Sequence, residues 1–496
     1  YYEADDAASI WLYQGPGIGT NPFFRAHIAA NGGVIPKPYS RTIGSEIETS
    51  NKPKIWGVSG KATVNLGDLT LTSLTSYRET HPLNFNDLDI TSAPTLTQLR
   101  EERHDQVSQE FQLSSPTGRK FEWLLGAYYF NENNDIRNEY QFLFIDDMFG
   151  LPNTPGCCVL QLNGKAKSRA YAVFGEANYD LTERLNLVVG GRYSTEKRGG
   201  ANAVAFVNFL QPMFDNIANF QSANFDAFSP KVGLNFQASR DTLLYVSASR
   251  GFKSGGFNIG SYQNTPFNPE KIRAYEAGAK MDLLDRRLRL NAATFFYQYA
   301  DLQVQDVEGQ NIVIRNAAKA EILGVELESI AVVTQAFRID AALTWLDATF
   351  KDTCLADPKH PLPAPDPGCN GANQRNIDGL QLPRAPKLKV AVGAQYTVPL
   401  ASGARIVVRS DYAWQDKIYF SAFEVAELSE RSYGWAKARV TYFEPDNRWR
   451  IAAFIDNIGD VKVMSNLTYS ADLVDAQAIG VMAPPRTFGV QASFNF

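Results

Sequence analysis

The side chains that most often perform catalysis are scarce and scattered in this chain. His27, His81, His104 and His360 fall in or at the edge of predicted loops, and the sequence contains no HExxH or CxxC motif. The glycine-rich stretch Gly15–Gly19 is not a phosphate-binding loop, because no helix is predicted after it. A GxSxG nucleophile elbow is also absent from the sequence. We therefore predict that the protein is not an enzyme and that it holds no resident metal or cofactor.

The four Cys residues are a second group with chemical potential, and all of them map to long predicted loops. Cys354 and Cys369 close a proline-rich stretch of 16 residues. In an oxidising compartment this spacing predicts a loop disulfide worth about 3 kcal/mol in the loop-entropy model. Cys157 and Cys158 are adjacent, and a strained vicinal bond, two free thiols and a metal contact all stay open for them.

Aromatic side chains without nearby cations form the most suggestive binding element. The predicted loop 199–227 contains no Lys or Arg, and it carries Phe206, Phe209, Phe214 and Phe220, with Phe225 and Phe228 following. Grouped exposed aromatics indicate a ligand or partner site, although the loop could instead fold on its own aromatics. We expect this loop to fold inward over the lumen of the β-barrel that is predicted below. Phe252, Lys253 and Phe257 could contribute to the same site at the mouth of that barrel.

The elements that position these residues show period-two alternation of apolar and polar side chains, which is typical of strands with one apolar face. The segment Tyr275–Leu283 is one example, with apolar residues at every second position. We predict eighteen strands, near residues 1–12, 55–66, 69–82, 105–116, 121–143, 167–182, 184–198, 228–238, 242–253, 272–284, 287–305, 320–333, 337–351, 387–399, 404–421, 432–444, 448–460 and 486–496.

The connections between these strands alternate between tight turns and long loops, as in outer-membrane barrels. Six aromatic residues occupy the apolar face at the tight-turn end of their strands, which indicates a membrane-interface girdle: Tyr179, Phe236, Phe337, Tyr396, Tyr442 and Trp449. The last predicted strand alternates up to the terminal Phe496, a pattern that resembles the C-terminal signal of such barrels. We therefore predict an all-β, transmembrane antiparallel barrel formed by residues 1–496, because an unpaired strand edge in lipid would be costly.

Composition excludes several other classes of protein. The longest apolar run, Trp123–Phe130, has eight residues, whereas a membrane-spanning helix needs about 20. A net charge of -5 gives no reason to expect nucleic acid as a partner. An apolar content of 44% with a small net charge argues against wholesale disorder.

Charged residues on the polar face of the predicted strands would line the lumen of the barrel. They are Arg192, Glu276, Lys280, Glu326, Glu328, Arg338, Asp340 and Arg409. Such residues can pair with one another, dock a plug or line a substrate path, and exposed ion pairs contribute only about 0–1 kcal/mol each. We expect a mainly structural role for them.

Five motifs resemble TonB-dependent outer-membrane receptors and occur in the order of that family. They are Gly191–Lys197 (GRYSTEK), Ser249–Asn258 (SRGFKSGGFN), Asn316–Glu328 (NAAKAEILGVELE), Asp456–Asp460 (DNIGD) and Ala483–Gly489 (APPRTFG). The resemblance implies a barrel of 22 strands that encloses an N-terminal plug, led by a TonB box. The eighteen strands predicted here fall four short, and the chain begins at Tyr1 without a Met or a leader. We therefore expect it to be the last eighteen strands of a receptor, without the plug and the first four strands, and we expect the first and last strands not to pair.

The resemblance implies energy-coupled uptake of a scarce nutrient such as a ferric siderophore. The implied partners are outer-membrane lipid, a small nutrient or metal-chelate ligand and, through the plug, the TonB–ExbB–ExbD system. The implied location is the outer membrane of a Gram-negative bacterium, with the long loops outside the cell. Two alternatives stay open at this point: a passive 18-stranded porin, for which an aqueous channel would be expected, and a plugless barrel that serves as a structural or adhesive subunit.

Overall fold

The computed structural model describes most of the chain. It comprises residues 2–3, 12–15, 22–33, 37–41, 45, 47–89, 91–93, 95–142, 159–207, 219–260, 266–308, 311–357, 359–360, 362–371, 373–470 and 475–495. Cys157, Cys158, Phe209 and Phe214 lie outside these residues.

The described secondary structure is almost entirely β. The strands are β1 (Tyr2–Glu3), β2 (Leu12–Gly15), β3 (Ser50–Asn51), β4 (Lys54–Leu66), β5 (Leu69–His81), β6 (Leu83–Asp87), β7 (Leu96–Ser114), β8 (Phe121–Phe142), β9 (Val159–Asp180), β10 (Leu185–Val207), β11 (Asn219–Ser239), β12 (Thr242–Lys253), β13 (Gly256–Phe257), β14 (Pro266–Phe267), β15 (Glu270–Leu283), β16 (Leu288–Glu308), β17 (Asn311–Val332), β18 (Phe337–Lys351), β19 (Cys354–Ala356), β20 (Gln374–Asn376), β21 (Leu388–Pro399), β22 (Arg405–Gln415), β23 (Ile418–Tyr419), β24 (Ser429–Glu430), β25 (Tyr433–Phe443), β26 (Trp449–Asp456), β27 (Met464–Tyr469), β28 (Ala478–Met482) and β29 (Thr487–Phe494). One α-helix, α1 (Pro22–Ala30), and one 3-10 helix (Ala426–Leu428) accompany them. Among the described residues, no helix has the length and apolar character needed to cross a membrane.

A single 20-stranded antiparallel sheet dominates the fold. Apart from the short strands β1, β3 and β6, its members correspond one for one to the predicted strands from 55–66 onwards, each paired with its neighbour along the chain. The all-β, antiparallel prediction is therefore confirmed. In the described part of the chain, β29 pairs with β26 and β1 pairs with β4. Most of the predicted first strand lies outside that part, so its relation to the last strand stays a prediction.

The two faces of this sheet differ as the alternation predicts. One face, here called the outer face, carries exposed apolar side chains such as Val173, Phe228 and Val246. The six predicted girdle aromatics follow the tight-turn ends of their strands on this face, and neighbouring members meet. The Phe337 and Tyr396 rings lie 6.3 Å apart between centroids, and those of Tyr442 and Trp449 lie 5.3 Å apart. Such a band suits the headgroup level of a bilayer.

Several strands extend further than the sequence indicates. Strands β8, β9, β10 and β11 have 22, 22, 23 and 21 residues, whereas spanning a bilayer takes about 9–11. The predicted loop 199–227 is therefore wrong in its bounds, because β10 continues to Val207 and β11 begins at Asn219. Cross-strand hydrogen bonds continue through polar, glycine-rich sequence that shows no apolar alternation.

Smaller elements form an outer layer at the end of the sheet opposite the tight turns. Strands β2, β28 and β27 make a three-stranded sheet, with a core of buried residues that includes Leu428, Met464 and Leu467. Only the end of the predicted strand 1–12 is corrected by this: Leu12 belongs to the three-stranded sheet, whereas Tyr2 and Glu3 pair with β4 in the large one. Helix α1 and the strands β27 and β28 all fall in segments for which the sequence predicts only loops.

Candidate functional site

The face of the large sheet opposite the exposed apolar side chains, here called the inner face, carries the charged residues. Strand alternation places all eight predicted lumen-lining residues on it, since residues adjacent to members of the set, such as Tyr275, Leu327 and Val408, are exposed on the outer face. The inner-face set is Arg192, Glu276, Lys280, Glu326, Glu328, Arg338, Asp340 and Arg409. Their shared face follows from the period of two, whereas their contacts depend on strand register.

Arg409 is the centre of an ion cluster that spans three strands. Its guanidinium donates two hydrogen bonds of 2.9 Å to Asp340 on β18, and it also donates to Asp411 from Nε at 3.1 Å. Gly393 on β21 lies between the two acids in register. A Cβ at that position would collide with Arg409 Nη2 and lie 2.6 Å from Asp340 Oδ2. The cluster therefore needs a glycine beneath it, and the third member, Asp411, was missed by the sequence analysis.

A second inner-face unit combines a glycine, an aromatic ring and charges. The Tyr245 ring lies over Gly278, whose added Cβ would approach the ring within 2.6 Å. Tyr245 Oη donates a 2.6 Å hydrogen bond to Glu276, and Lys280 Nζ lies 5.9 Å from the ring centroid. The structure thus brings together two predicted residues, Glu276 and Lys280, through a tyrosine that the sequence analysis did not select.

Arg192 forms a similar group of a cation and aromatic rings on the inner face of β8, β9 and β10. Its guanidinium lies 5.4 Å from the Tyr128 ring centroid and 5.3 Å from that of Phe174, distances typical of cation–π contacts. Phe174 in turn covers Gly126 on β8. Arg192 and Tyr128, together with Arg198, border a cavity of about 150 Å³. The wall here offers both a cation and aromatic faces to whatever occupies the lumen.

The larger described cavity, about 410 Å³, lies on the inner side of β16 to β25. Its lining includes Glu328, Asp340, Asp411, Trp435 and Lys437, so both signs of charge are present. No group of three or more His, Cys, Asp or Glu residues suited to a metal occurs in the described part of the chain. The arrangement can bind a polar surface through many contacts.

The motif Ser249–Asn258 continues past the end of β12 into residues 254–258, here called the Asn258 strap, which hydrogen-bonds to neighbouring strands. Asn258 donates to the Ile314 carbonyl at 3.1 Å and accepts from the Ile314 amide at 2.7 Å. Asn202 donates to the Asn258 carbonyl at 2.7 Å. Phe257, predicted as a ligand contact, packs over Gly200, where a Cβ would lie 2.9 Å from the Phe257 Cβ. The motif therefore fixes a backbone path across the mouth.

Among the predicted ligand residues whose side chains the structure describes, Phe220, Phe252 and Lys253 do not come together at one place. Phe252 and Lys253 are consecutive in β12, so their side chains point to opposite faces. Phe220 and Phe228 are 54% and 64% exposed on the outer face, whereas Phe225 is buried on the inner side. Phe206 lies in β10, and Phe209 and Phe214 fall outside the described residues. Because β11 alternates, its three aromatics cannot share one surface.

The Cys354–Cys369 loop belongs to the outer layer. The two sulfurs are bonded at 1.97 Å. Inside this loop the Asp357 side chain is 2% exposed and accepts hydrogen bonds from the backbone and ring nitrogens of His360. The other ring nitrogen of His360 lies 3.3 Å from Tyr469 Oη on β27. Side chains thus join the disulfide loop to the three-stranded sheet.

Glu430 joins further parts of this layer. It is fully buried, accepts a 2.6 Å hydrogen bond from the Met464 amide and accepts another from Tyr39 Oη at 3.3 Å. Burial raises the pKa of the Glu430 carboxyl, although these hydrogen bonds oppose the shift. Helix α1 is attached in a similar way, since Arg25 pairs with Asp475 at 2.6 Å. The layer is therefore a connected structure of chain segments that are distant in sequence.

An antiparallel sheet of long strands, with an apolar outer face, an aromatic girdle and a charged inner face, is the architecture of an outer-membrane β-barrel. Residues 4–458 match the family model described as TonB dependent receptor-like, beta-barrel. The chain belongs to this family, and the resemblance seen in the motifs is confirmed. Barrels of this family are outer-membrane proteins of Gram-negative bacteria, and they serve as receptors and transporters rather than enzymes.

Curated relatives and solved structures support this assignment. The metal-pseudopaline receptor CntO of Pseudomonas aeruginosa is 26% identical over 270 residues, which cover 50% of this chain and 35% of that receptor. The pesticin receptor of Yersinia pestis is 24% identical over 233 residues, 46% of this chain and 32% of the receptor. The matched segments thus span about a third of these relatives.

The fold is shared with solved receptors. The ferric yersiniabactin uptake receptor FyuA of Yersinia pestis superimposes with a TM-score of 0.72 at 18% identity, covering 90% of this chain and 62% of that one. The siderophore receptor PiuA of Acinetobacter baumannii gives a TM-score of 0.71 at 17% identity, covering 99% and 70%.

Proposed function

We propose that this chain is the barrel of a receptor that takes up a metal chelate of the siderophore type, driven by TonB. The family assignment carries the proposal, since the relatives named above are receptors for pseudopaline-bound metal and for pesticin. The TonB–ExbB–ExbD system would act through a plug inside the barrel, and the long connections would face the cell exterior.

The outer layer supports capture at the mouth. A binding surface has to keep its shape when the ligand arrives, because ordering loops on binding reduces affinity. The disulfide loop, the buried Glu430 and the Asn258 strap each hold a part of the mouth through contacts that span distant segments. We propose that Phe206, Phe209 and Phe214, at or near the β10–β11 connection, contact the ligand there.

The inner face supports passage and plug docking. Its ion cluster at Arg409 and its aromatic–cation unit at Arg192 present polar groups that can exchange partners. Exposed ion pairs are individually weak, so many of them can hold a plug and still release it when force is applied. This face therefore suits a removable occupant.

Uptake by whole cells tests the proposal. A strain that lacks its own siderophore receptors would express the complete receptor, and cell-associated radioactive iron would be measured with candidate ferric chelates, with and without functional TonB. We expect uptake that requires both the receptor and TonB. Receptor-dependent uptake that persists without TonB would instead support passive diffusion through a porin, and absence of uptake for every chelate would contradict the substrate class.

The aromatic contacts need a separate variant. Replacing Phe206, Phe209 and Phe214 together with Ser should lower uptake at least about tenfold while the amount of inserted barrel stays constant, because burying each ring contributes about 1.5–3 kcal/mol. Phe220→Ser is the matched control, since Phe220 lies exposed on the outer face. Unchanged uptake in the triple variant would show that these aromatics do not contact the ligand.

A further inference from the structure

The outer face of β8 and β9 shows where the apolar band ends. Phe121 and Tyr179 are register partners near the tight turns, with ring centroids 6.3 Å apart. Tyr129 and Tyr171 are partners further along the same two strands, 5.2 Å apart. From one level to the other each strand runs through nine residues, Phe121–Tyr129 on β8 and Tyr171–Tyr179 on β9, which is within the ~9–11 residues that a tilted strand needs to cross the bilayer. Tyr129 and Tyr171 therefore mark the second membrane interface.

Directly beyond this interface the outer face becomes cationic. Lys167 and Arg169 follow on β9, and Lys197 lies on β10; all three are exposed, and we call them the basic patch. Arg169 and Lys197 are register partners, and like charges directly opposite one another destabilise a sheet. The sheet therefore carries an electrostatic cost at this position.

The patch has no acidic residue directly opposite any of its members; the nearest acids on the same face, Asp135 and Asp226, are in register with Lys165 and Thr195, one diagonal position from Lys167 and Lys197. The cross-strand neighbours of its members are uncharged, namely Asn131, Asn133, Gly199 and Asn224. Arg169 Nε donates only a long 3.5 Å hydrogen bond to Asn131, and no ion pair involves the patch in the described part of the chain. Lys165, one position further out, differs because it lies 3.8 Å from Asp135.

We propose that the basic patch binds the phosphate groups of a glycolipid in the leaflet on the side of the long connections. Arg169 lies two residues beyond Tyr171, at the height of lipid headgroups, and the patch continues the lipid-facing surface formed by Tyr171 and Tyr193. Arg and Lys are the side chains that bind phosphate. A phosphate between Arg169 and Lys197 converts their repulsion into two attractive contacts, and the surrounding Asn side chains can donate further hydrogen bonds.

The occupant is a lipid, and not a soluble anion, because the patch begins two residues beyond Tyr171, where the lipid-facing surface ends. This inference does not depend on which substrate the receptor transports. The probe for the test is diphosphorylated lipid A, compared with the same lipid without phosphates and with inorganic phosphate at equal concentration. Native mass spectrometry of the complete receptor in detergent counts bound lipids and reports the oligomeric state in the same spectra.

The triple variant Lys167→Gln, Arg169→Gln and Lys197→Gln removes the patch. The matched control is Lys280→Gln, Lys389→Gln and Lys437→Gln, which removes three exposed cations from the inner face. We expect wild type and control to bind the phosphorylated lipid equally, and more weakly at high salt. Each cation near an anionic lipid surface is worth about fivefold in affinity, so the patch variant should bind at least about twentyfold more weakly.

Three results would overturn the proposal. The first is equal lipid binding by wild type and the patch variant when both are folded, judged by their β-sheet circular dichroism. The second is equal affinity for lipid A with and without phosphates, or displacement of the lipid by inorganic phosphate. The third is a receptor dimer that forms through the patch without lipid and is lost in the patch variant.

Discussion

The ion cluster over Gly393 makes a quantitative prediction for a single added methyl group. In Gly393→Ala the new Cβ would collide with Arg409 Nη2 and lie 2.6 Å from Asp340 Oδ2 and 2.8 Å from Asp411 Oδ1. The guanidinium must then move and lose hydrogen bonds to both acids. Charge-assisted hydrogen bonds contribute about 1.5–3 kcal/mol each, but these three side chains are 27–31% exposed, which reduces the loss through solvent screening.

The opposing term is the gain from replacing a glycine within a strand, about 0.5–1 kcal/mol. We therefore expect Gly393→Ala to lower the free energy of unfolding by about 1–2 kcal/mol. Gly60→Ala is the matched control, since a Cβ there has nothing within 4 Å, and it should leave stability unchanged or slightly raised. Urea unfolding in detergent, followed by tryptophan fluorescence, measures both variants.

A double-mutant cycle tests the cause of the effect. In an Arg409→Ala background the added methyl group no longer meets a guanidinium, so the cost of Gly393→Ala should fall to the part that comes from its contacts with Asp340 and Asp411. Two results would refute this explanation: a loss of stability of the same size in the Arg409→Ala background, or the same unfolding midpoint for Gly393→Ala and Gly60→Ala. Either result would show that the glycine is not needed to make room for the ion cluster.

Three further predictions concern the outer layer. Reducing the Cys354–Cys369 disulfide should make its loop susceptible to protease while the barrel stays folded, because the bond removes about 3 kcal/mol of loop entropy in the chain model; cleavage that is equally fast without reductant would contradict this. Asn258→Ala should speed amide hydrogen exchange at Ile314 by at least about fivefold, since both hydrogen bonds between these residues are lost; unchanged exchange would show that the strap is held by packing alone. Burial raises the pKa of Glu430 above 4.5, so the protonated side chain stabilises the folded layer, and this stability is lost as pH rises through the raised pKa. The variant Glu430→Gln should remove this pH dependence when it is measured by hydrogen exchange. An identical pH profile for the variant would refute the assignment to Glu430.

The long connections differ from the sequence prediction more than the strands do. Helix α1 begins at Pro22, and proline at the first helical position is a start signal that a closer reading could have used. The hairpin β10–β11 extends through polar residues, for which period two gives no signal. The sequence predicts Phe257 as a ligand contact at the mouth, but in the structure it fills the space above Gly200. A loop residue's exposure depends on what folds over it, and local sequence carries no record of that.

The sequence by itself determined the central part of each long strand of the large sheet and the face that its side chains occupy. That information is local, because side chains alternate with a period of two and the apolar set must face lipid or core. The pairing of Arg409 with Asp340 and Asp411 over Gly393, and of Glu430 with Tyr39 and Met464, was decided only by the tertiary structure. These contacts join residues up to 391 positions apart, and they depend on strand register and on the paths of long connections, which no local pattern specifies.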